Sequence, residues 1–304
     1  RTFNLKPKRM QSLMEWLSQF EGSEFHFEVV GDILTPDILD FLKTVPPGMF
    51  QFEIGIQTTD ESVQKNIQRK QDNKLLFDTI KKIIAEDRIH FHCDLIFGLP
   101  EENKEKILNS FREVLSLRPH ELQLGFLKFL PGAPIKNNIQ SHGYEYQSTP
   151  PYELISNKDL SAEEVDYLKK FTDIFNRFYN SKRFQFSINH LLQKLDAVDL
   201  FDQLLAYHES NNLFMNPVAL DHQYKIFKDT FFPNPTYIEK DLLKLDYLYS
   251  QKTYRLPAFL SEKSNFYRKT WKEDRKTPII PFKHKIEISG NQAHLKLTEH
   301  PVYY

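Results

Sequence analysis

The chain holds one cysteine, Cys93, in 304 residues. A single thiol forms no internal disulfide, and it falls short of the three or four ligands of an iron–sulfur cluster. Long apolar runs are missing too. A stretch such as Leu95–Pro100 is far shorter than the roughly 20 residues of a membrane span, and no basic start, apolar stretch and small-residue cleavage site marks a secretory signal. Net charge is nearly nil, with 40 basic against 41 acidic residues. Nucleic-acid binding driven by overall charge is therefore excluded, although a local basic groove is not. There is no glycine-rich cofactor motif, and the second half has neither an internal repeat nor a low-complexity tract. These absences lead us to expect a soluble cytoplasmic protein with no membrane partner.

What is present is enough for a sizeable core. At 304 residues and 40% hydrophobic, the length corresponds to roughly two domains. Between Phe25 and Leu130 strand and helix patterns alternate, as in βαβ units. Strands are expected at Phe25–Val30, Gln51–Gln57, Ile89–Phe97 and Leu122–Leu130. Helices are expected after Thr35-Pro36, at Asp60–Asn66, at Asp72–Ala85 and at Glu101–Leu117. After Pro131 the pattern changes. Tyr144–Tyr152 reads as an aromatic, proline-rich loop, and Ser161-Ala162-Glu163-Glu164 and Thr236-Tyr237-Ile238-Glu239 as capping boxes. The first box opens a helix to Asn180 and the second a helix to Tyr249, with a further helix at Asn189–Glu209. Alternation on both sides of Ser289-Gly290-Asn291 gives a C-terminal hairpin. The expected fold is α/β, a partial (β/α) barrel over residues 1–140 followed by a mostly helical accessory domain over 141–304.

Strand parity sorts the polar residues. Phe91, Cys93, Leu95 and Phe97 share one face of the third strand, and His92, Asp94, Ile96 and Gly98 the other. Packing the apolar faces on the helices turns Glu28, Glu53, Gln57 and Asp94 into the barrel. Each costs a few kcal/mol if buried alone, so the face calls for a ligand, water or a counter-charge, for which Arg69 is the nearest candidate. Cys93 reads as a core residue. His26, His90 and His92 cluster near strands, but no Glu-x-x-His or His-x3-His pair lies on a helix, and no metal site is expected in this chain. Lys128 could neutralise an acidic substrate group or simply snorkel to solvent.

Gly55-Ile56-Gln57-Thr58, Arg69 and Asp94-Leu95-Ile96-Phe97-Gly98-Leu99-Pro100 together resemble the radical S-adenosylmethionine superfamily. The branch they resemble includes oxygen-independent coproporphyrinogen oxidase and methylthiotransferases. The resemblance covers about residues 1–155 and implies that strands three to six of a radical SAM-type barrel are present. It implies that Gln57, Arg69 and Asp94 hold S-adenosylmethionine, that Ile96, Phe97 and Gly98 lie against its adenine, and that Glu28 stands where the third-strand acid falls. Two departures stand out. Glu101 occupies the glycine position of Gly-Leu-Pro-Gly-Glu, and the Cys-x3-Cys-x2-Cys loop is absent.

Arg1-Thr2-Phe3-Asn4 and the half containing Pro150-Pro151-Tyr152-Glu153 resemble a subgroup with an N-terminal cobalamin-binding domain. The chain is accordingly read as the C-terminal portion of a longer oxidoreductase-type polypeptide, with a domain-linker start as the alternative. The missing N-terminal part would carry the 4Fe-4S cluster and possible cobalamin, a reductant protein would serve it, and this chain alone would be inactive. Two alternatives remain: a cluster-independent hydrolase or lyase using Glu28, Glu53 and Asp94, or a non-catalytic interaction module. The substrate is unknown.

Overall fold

A computed structural model of the chain describes residues 3–251, 255–261, 281–289 and 292–303. The chain forms two compact units, Arg1–Thr172 and Asp173–Tyr304. Among the described residues no helix is long and apolar enough to cross a membrane.

The first unit alternates helix and strand: α1 (Pro7–Leu17), β1 (Phe25–Glu28), α2 (Pro36–Leu42), β2 (Phe50–Gln57), α3 (Glu61–Asn66), α4 (Asn73–Glu86), β3 (Ile89–Phe97), α5 (Lys104–Ser116) and β4 (Glu121–Phe126). The strands make one parallel sheet in the order β1-β2-β3-β4. Sequential parallel order is the winding of a (β/α) barrel rather than of a doubly wound sheet, in which the order reverses. Phe52, Ile54, Ile56, Phe91, Cys93, Leu95 and Phe97 are buried on one face. The opposite face, with Glu53, Gln57, His92 and Asp94, is only half-buried. Parity therefore sorts the residues as expected.

Residues 3 and 4 pack against β1 and the segment just past its end. The buried Asn4 donates its amide N–H to Val30 O at 2.8 Å and accepts from Val30 N at 2.9 Å, while Phe3 stacks on Phe27 with ring centroids 4.0 Å apart.

Residues past 131 contribute α6 (Ile139–His142), β5 (Glu145–Tyr146), β6 (Leu154–Ser156) and α7 (Ala162–Phe175). The domain boundary expected from sequence lies at 140/141, whereas the compact units divide at 172/173; residues 144–160 are bonded to the ends of β3 and β4. Leu154 N donates to Leu127 O and Phe129 N to Tyr152 O, and Lys128 bridges Glu153. The fourth strand consequently ends at Phe126 instead of Leu130. Ser161 and Glu164 form the expected reciprocal box.

The second unit contains α8 (Gln185–Leu191), α9 (Ala197–Ser210), α10 (Leu220–Phe231), α11 (Tyr237–Gln251), β7 (Pro281–Ser289) and β8 (Gln292–Tyr303). In its core Phe184 stacks on Phe227 at 4.8 Å and packs at a tilt against Tyr224 at 4.3 Å. The helix expected over Asn189–Glu209 is two helices, since Asp196 caps α9 by accepting from Val198 N and Asp199 N. The box at Thr236 and Glu239 is present. β7 and β8 pair antiparallel; the expected turn residues Gly290 and Asn291 lie outside the described residues.

Candidate functional site

Gly55 is the point on which the expected ligand-binding residues converge. It is registered opposite Asp94, and the β2–β3 ladder shifts between Gly55 and Gln57. Gln57 has φ of 70°, a left-handed value that turns its side chain back over β2. A Cβ on Gly55 would stand 2.7 Å from Gln57 Nε2, so any larger residue here would displace the Gln57 amide. Arg69 reaches the same residue, donating from Nη2 to Gly55 O and from Nε to Gln71 Oε1 at 2.9 Å. The structure thus brings Gln57, Arg69 and Asp94 together at the carboxyl ends of β2 and β3, where barrel enzymes place their ligands.

Arg69 departs from one expectation. Among the described residues no carboxylate lies within ion-pair distance of it; the strand-end carbonyl takes the guanidinium instead. Burial lowers the Arg69 pKa, and Asp32 opposes that shift. The remaining guanidinium N–H groups are available to a carboxylate in the planar fork that suits arginine.

Asp94 sits above a row in which Glu28, Glu53, His92 and Glu121 face one another across β1 to β4. His26 meets Glu53 at 2.8 Å and His92 meets Glu121 at 3.4 Å, placing imidazoles between acids that would otherwise repel. Burial, then the adjacent Glu53 and the further acids Glu121 and Glu28, raise the Asp94 carboxyl to about 7. Its Oδ1 is buried and meets no hydrogen-bond donor among the described residues. Such an atom suits a ligand hydroxyl or ammonium.

The other expected contacts divide. Ile96 shares the face of Asp94 and is half-buried, so it can line a flat apolar group. Phe97 points the other way, 1% exposed, with its ring against Phe126; only its backbone belongs to the site face. Gly98 has φ of +90°, and a Cβ there would lie 2.0 Å from Leu154 Cδ2. Its carbonyl accepts from Tyr144 Oη at 3.2 Å and Asn157 Nδ2 at 3.4 Å. Glu28 and Lys128 are exposed. Cys93 is buried on the helix side, which does not fit an iron–sulfur ligand; this chain cannot hold a cluster by itself.

Sequence reasoning overlooked Glu102. It is 1% exposed, and its carboxyl is raised to about 8, mainly by burial, with the Thr58 hydroxyl opposing. Its place directly after Leu99-Pro100-Glu101 was the available signal. Glu101 stands at φ of +62°, so the turn keeps the left-handed shape that glycine adopts without strain. Glu121 was also overlooked, because only the β3–β4 register brings it to His92.

The Radical SAM superfamily profile matches residues 2–114, and that of a family described as "Protein of unknown function (DUF4080)" matches residues 140–294. The oxygen-independent coproporphyrinogen III oxidase of Escherichia coli (strain K12) is 27% identical over 124 residues, which are 40% of this chain and 27% of that protein. The 2-(S-pantetheinyl)-carbapenam-3-carboxylate methyltransferase of Streptantibioticus cattleyicolor is 28% identical over 117 residues, 37% of this chain and 17% of that protein. The chain therefore spans about a quarter or less of these curated relatives.

Among solved structures, coproporphyrinogen III oxidase from Escherichia coli superposes with a TM-score of 0.42 at 21% identity, over 57% of this chain and 37% of that one. The radical S-adenosylmethionine methyltransferase TsrM from Kitasatospora setae gives 0.40 at 10% identity, over 53% and 33%. The chain belongs to the DUF4080 family and carries, in its first part, a domain of the radical SAM superfamily.

Proposed function

We propose that this chain supplies the S-adenosylmethionine-holding side of a radical SAM enzyme, completed by a cysteine-bearing segment of the same polypeptide. The observation that carries the reading is the convergence of Gln57, Arg69 and Asp94 on Gly55, within a domain of that superfamily. When bound to a reduced 4Fe-4S cluster, S-adenosylmethionine supplies a 5′-deoxyadenosyl radical. Arg69 would grip the methionine carboxylate with the N–H groups not given to Gly55 and Gln71. Asp94 would accept from ribose hydroxyls or the amino group through Oδ1, and Gln57 would offer an amide beside them. Ile96 would cover one side of the adenine, and the backbone of Phe97 and Gly98 would border it. Lys128, exposed beyond β4, would belong to the substrate wall.

A reductant protein and the cysteine-bearing segment are the partners this requires, and the fragment alone would be inactive. The finer reading is cobalamin-dependent methyl transfer, supported by the likeness of residues 1–4 and of the second half to the cobalamin-binding subgroup. The substrate is left to loops and the second unit.

Reductant-dependent release of 5′-deoxyadenosine by the polypeptide containing both parts tests the proposal. A hydrolase or lyase built on Glu28, Glu53 and Asp94 would turn over with neither cluster nor reductant. An interaction module would keep its function in Gln57→Ala, Arg69→Ala and Asp94→Ala variants.

A further inference from the structure

Below the Gly55 convergence, the amino-terminal half of the same sheet face carries imidazoles. His90 and His92 alternate on β3 and so share one side of it, and His92 is registered opposite Glu121 on β4. One ligand atom from each of His90, His92 and Glu121 lies within 4.8 Å of the other two, and His92 Nε2 stands 3.4 Å from Glu121 Oε2. The rings of His90 and His92 are 4.9 Å apart at 74°, so the edge of one meets the other instead of the two stacking flat. All three residues are half-buried.

We propose that His90, His92 and Glu121 bind a divalent transition-metal ion of the zinc class. Two imidazole nitrogens and one carboxylate oxygen form a recurrent three-ligand zinc set, with a further position left for water. Bonds of about 2.0–2.2 Å hold tetrahedral ligand atoms roughly 3.4 Å apart. The His92–Glu121 separation already has that value, and the His90 ligand atom, within 4.8 Å of both, would have to close by side-chain rotation. Nitrogen ligands favour zinc, cobalt or nickel over magnesium or calcium, which take oxygen.

His120 is placed as a support for the site. Phe91 N donates to His120 Nδ1 at 3.1 Å, so the proton of the neutral ring lies on Nε2, which faces Asp87 Oδ1 at 3.5 Å. The His120 ring packs 4.8 Å from that of His90. His26 is engaged with Glu53 and is not assigned as a ligand. At this end of the strands barrel residues serve stability more than turnover. The ion would offset the charge of Glu121 and the neighbouring Glu53 and tie β3 to β4. This inference is independent of the radical SAM reading, since none of its ligands belongs to the Gly55 convergence.

The test is calorimetric titration of the chelator-stripped full chain with zinc and, separately, with magnesium. The expected result is one zinc equivalent, a rise in thermal midpoint with zinc, and no stoichiometric magnesium binding. His92→Ala and Glu121→Gln should each weaken zinc binding by at least about 10–100-fold, the loss that even outer-shell changes produce. His26→Ala should leave it unchanged. Circular dichroism identifies any variant that fails to fold, and Glu121→Gln preserves shape where His92→Ala does not. Zinc binding of equal strength in folded Glu121→Gln, or no zinc equivalent in the parent, overturns the assignment and leaves His92–Glu121 as an ion pair only.

Discussion

Gly98 lies directly beneath Leu154: a Cβ on the glycine would come within 2.0 Å of the leucine Cδ2. The two residues join the strand-end motif to the segment that opens the DUF4080 match, and Leu154 is fully buried. Gly98→Ala adds both overpacking and a strained positive φ, and should cost about 2 kcal/mol or more. Leu154→Ala alone should cost roughly 2–5 kcal/mol by leaving a cavity. In the double variant the space vacated by Leu154 receives the new methyl group, so the loss should fall short of the sum by about 0.5–3 kcal/mol. Urea unfolding of the four proteins measures the coupling; strict additivity would show that the two residues do not share this space.

Glu101 holds the same turn from the other side. Its left-handed backbone costs roughly 1–2 kcal/mol in a residue with a Cβ, part of which glycine returns as chain entropy. Its side chain accepts from Asn66 Nδ2 at 2.6 Å at an exposed position. Glu101→Gly should therefore raise unfolding stability by about 0.5–1 kcal/mol. A measured loss would mean that the Asn66 bond and the 4.0 Å ion pair of Lys158 Nζ with Glu101 Oε1 outweigh the backbone strain.

Glu102 makes stability depend on pH in an unusual direction. Its folded pKa, about 8, lies above the ordinary 4.5, so between these values the native state holds a proton that the unfolded chain has released. Stability then falls as pH rises through this window, by about 1.4 kcal/mol per pH unit for a single group. From pH 6.5 to 8 the integrated contribution is about 1.6 kcal/mol, because the slope flattens as the folded pKa is approached. Asp246, raised to about 7 by burial, acts in the same direction. Glu102→Gln carries no such proton, so denaturant midpoints across this range should decline less steeply in the variant. Parallel pH profiles would refute the buried, protonated state.

The parts of this fold legible in sequence were those governed by local rules. β3 falls at Ile89–Phe97 as alternation places it, and both capping boxes form as written. The misplaced parts depend on partners distant in sequence. Leu127 and Phe129 prolong the alternation of β4, but their backbones bond to Leu154 and Tyr152. Helical periodicity runs through Leu191 and Leu195, and only the Asp196 cap marks the break. In the site, the resemblance to the family's motifs is what grouped Gln57, Arg69 and Asp94, and the fold brings all three to Gly55. Arg69 bonds to Gly55 O where the ladder shifts, and a register shift is invisible to residue type. Glu121 was hidden for the same reason: its partner His92 is set by strand register.

The most direct test of the central claim uses a polypeptide carrying both this chain and the proposed cysteine-bearing segment, reconstituted anaerobically with iron and sulfide. The account predicts reductant-dependent 5′-deoxyadenosine from S-adenosylmethionine, falling by at least about 100-fold in Arg69→Ala and Asp94→Asn variants that keep their cluster, as when one charged transition-state contact worth roughly 2.7 kcal/mol is removed. A parent that holds a cluster yet cleaves equally well in both variants would contradict the assignment of the Gly55 convergence to the cofactor. A parent with neither cluster nor cleavage would contradict the radical reading itself.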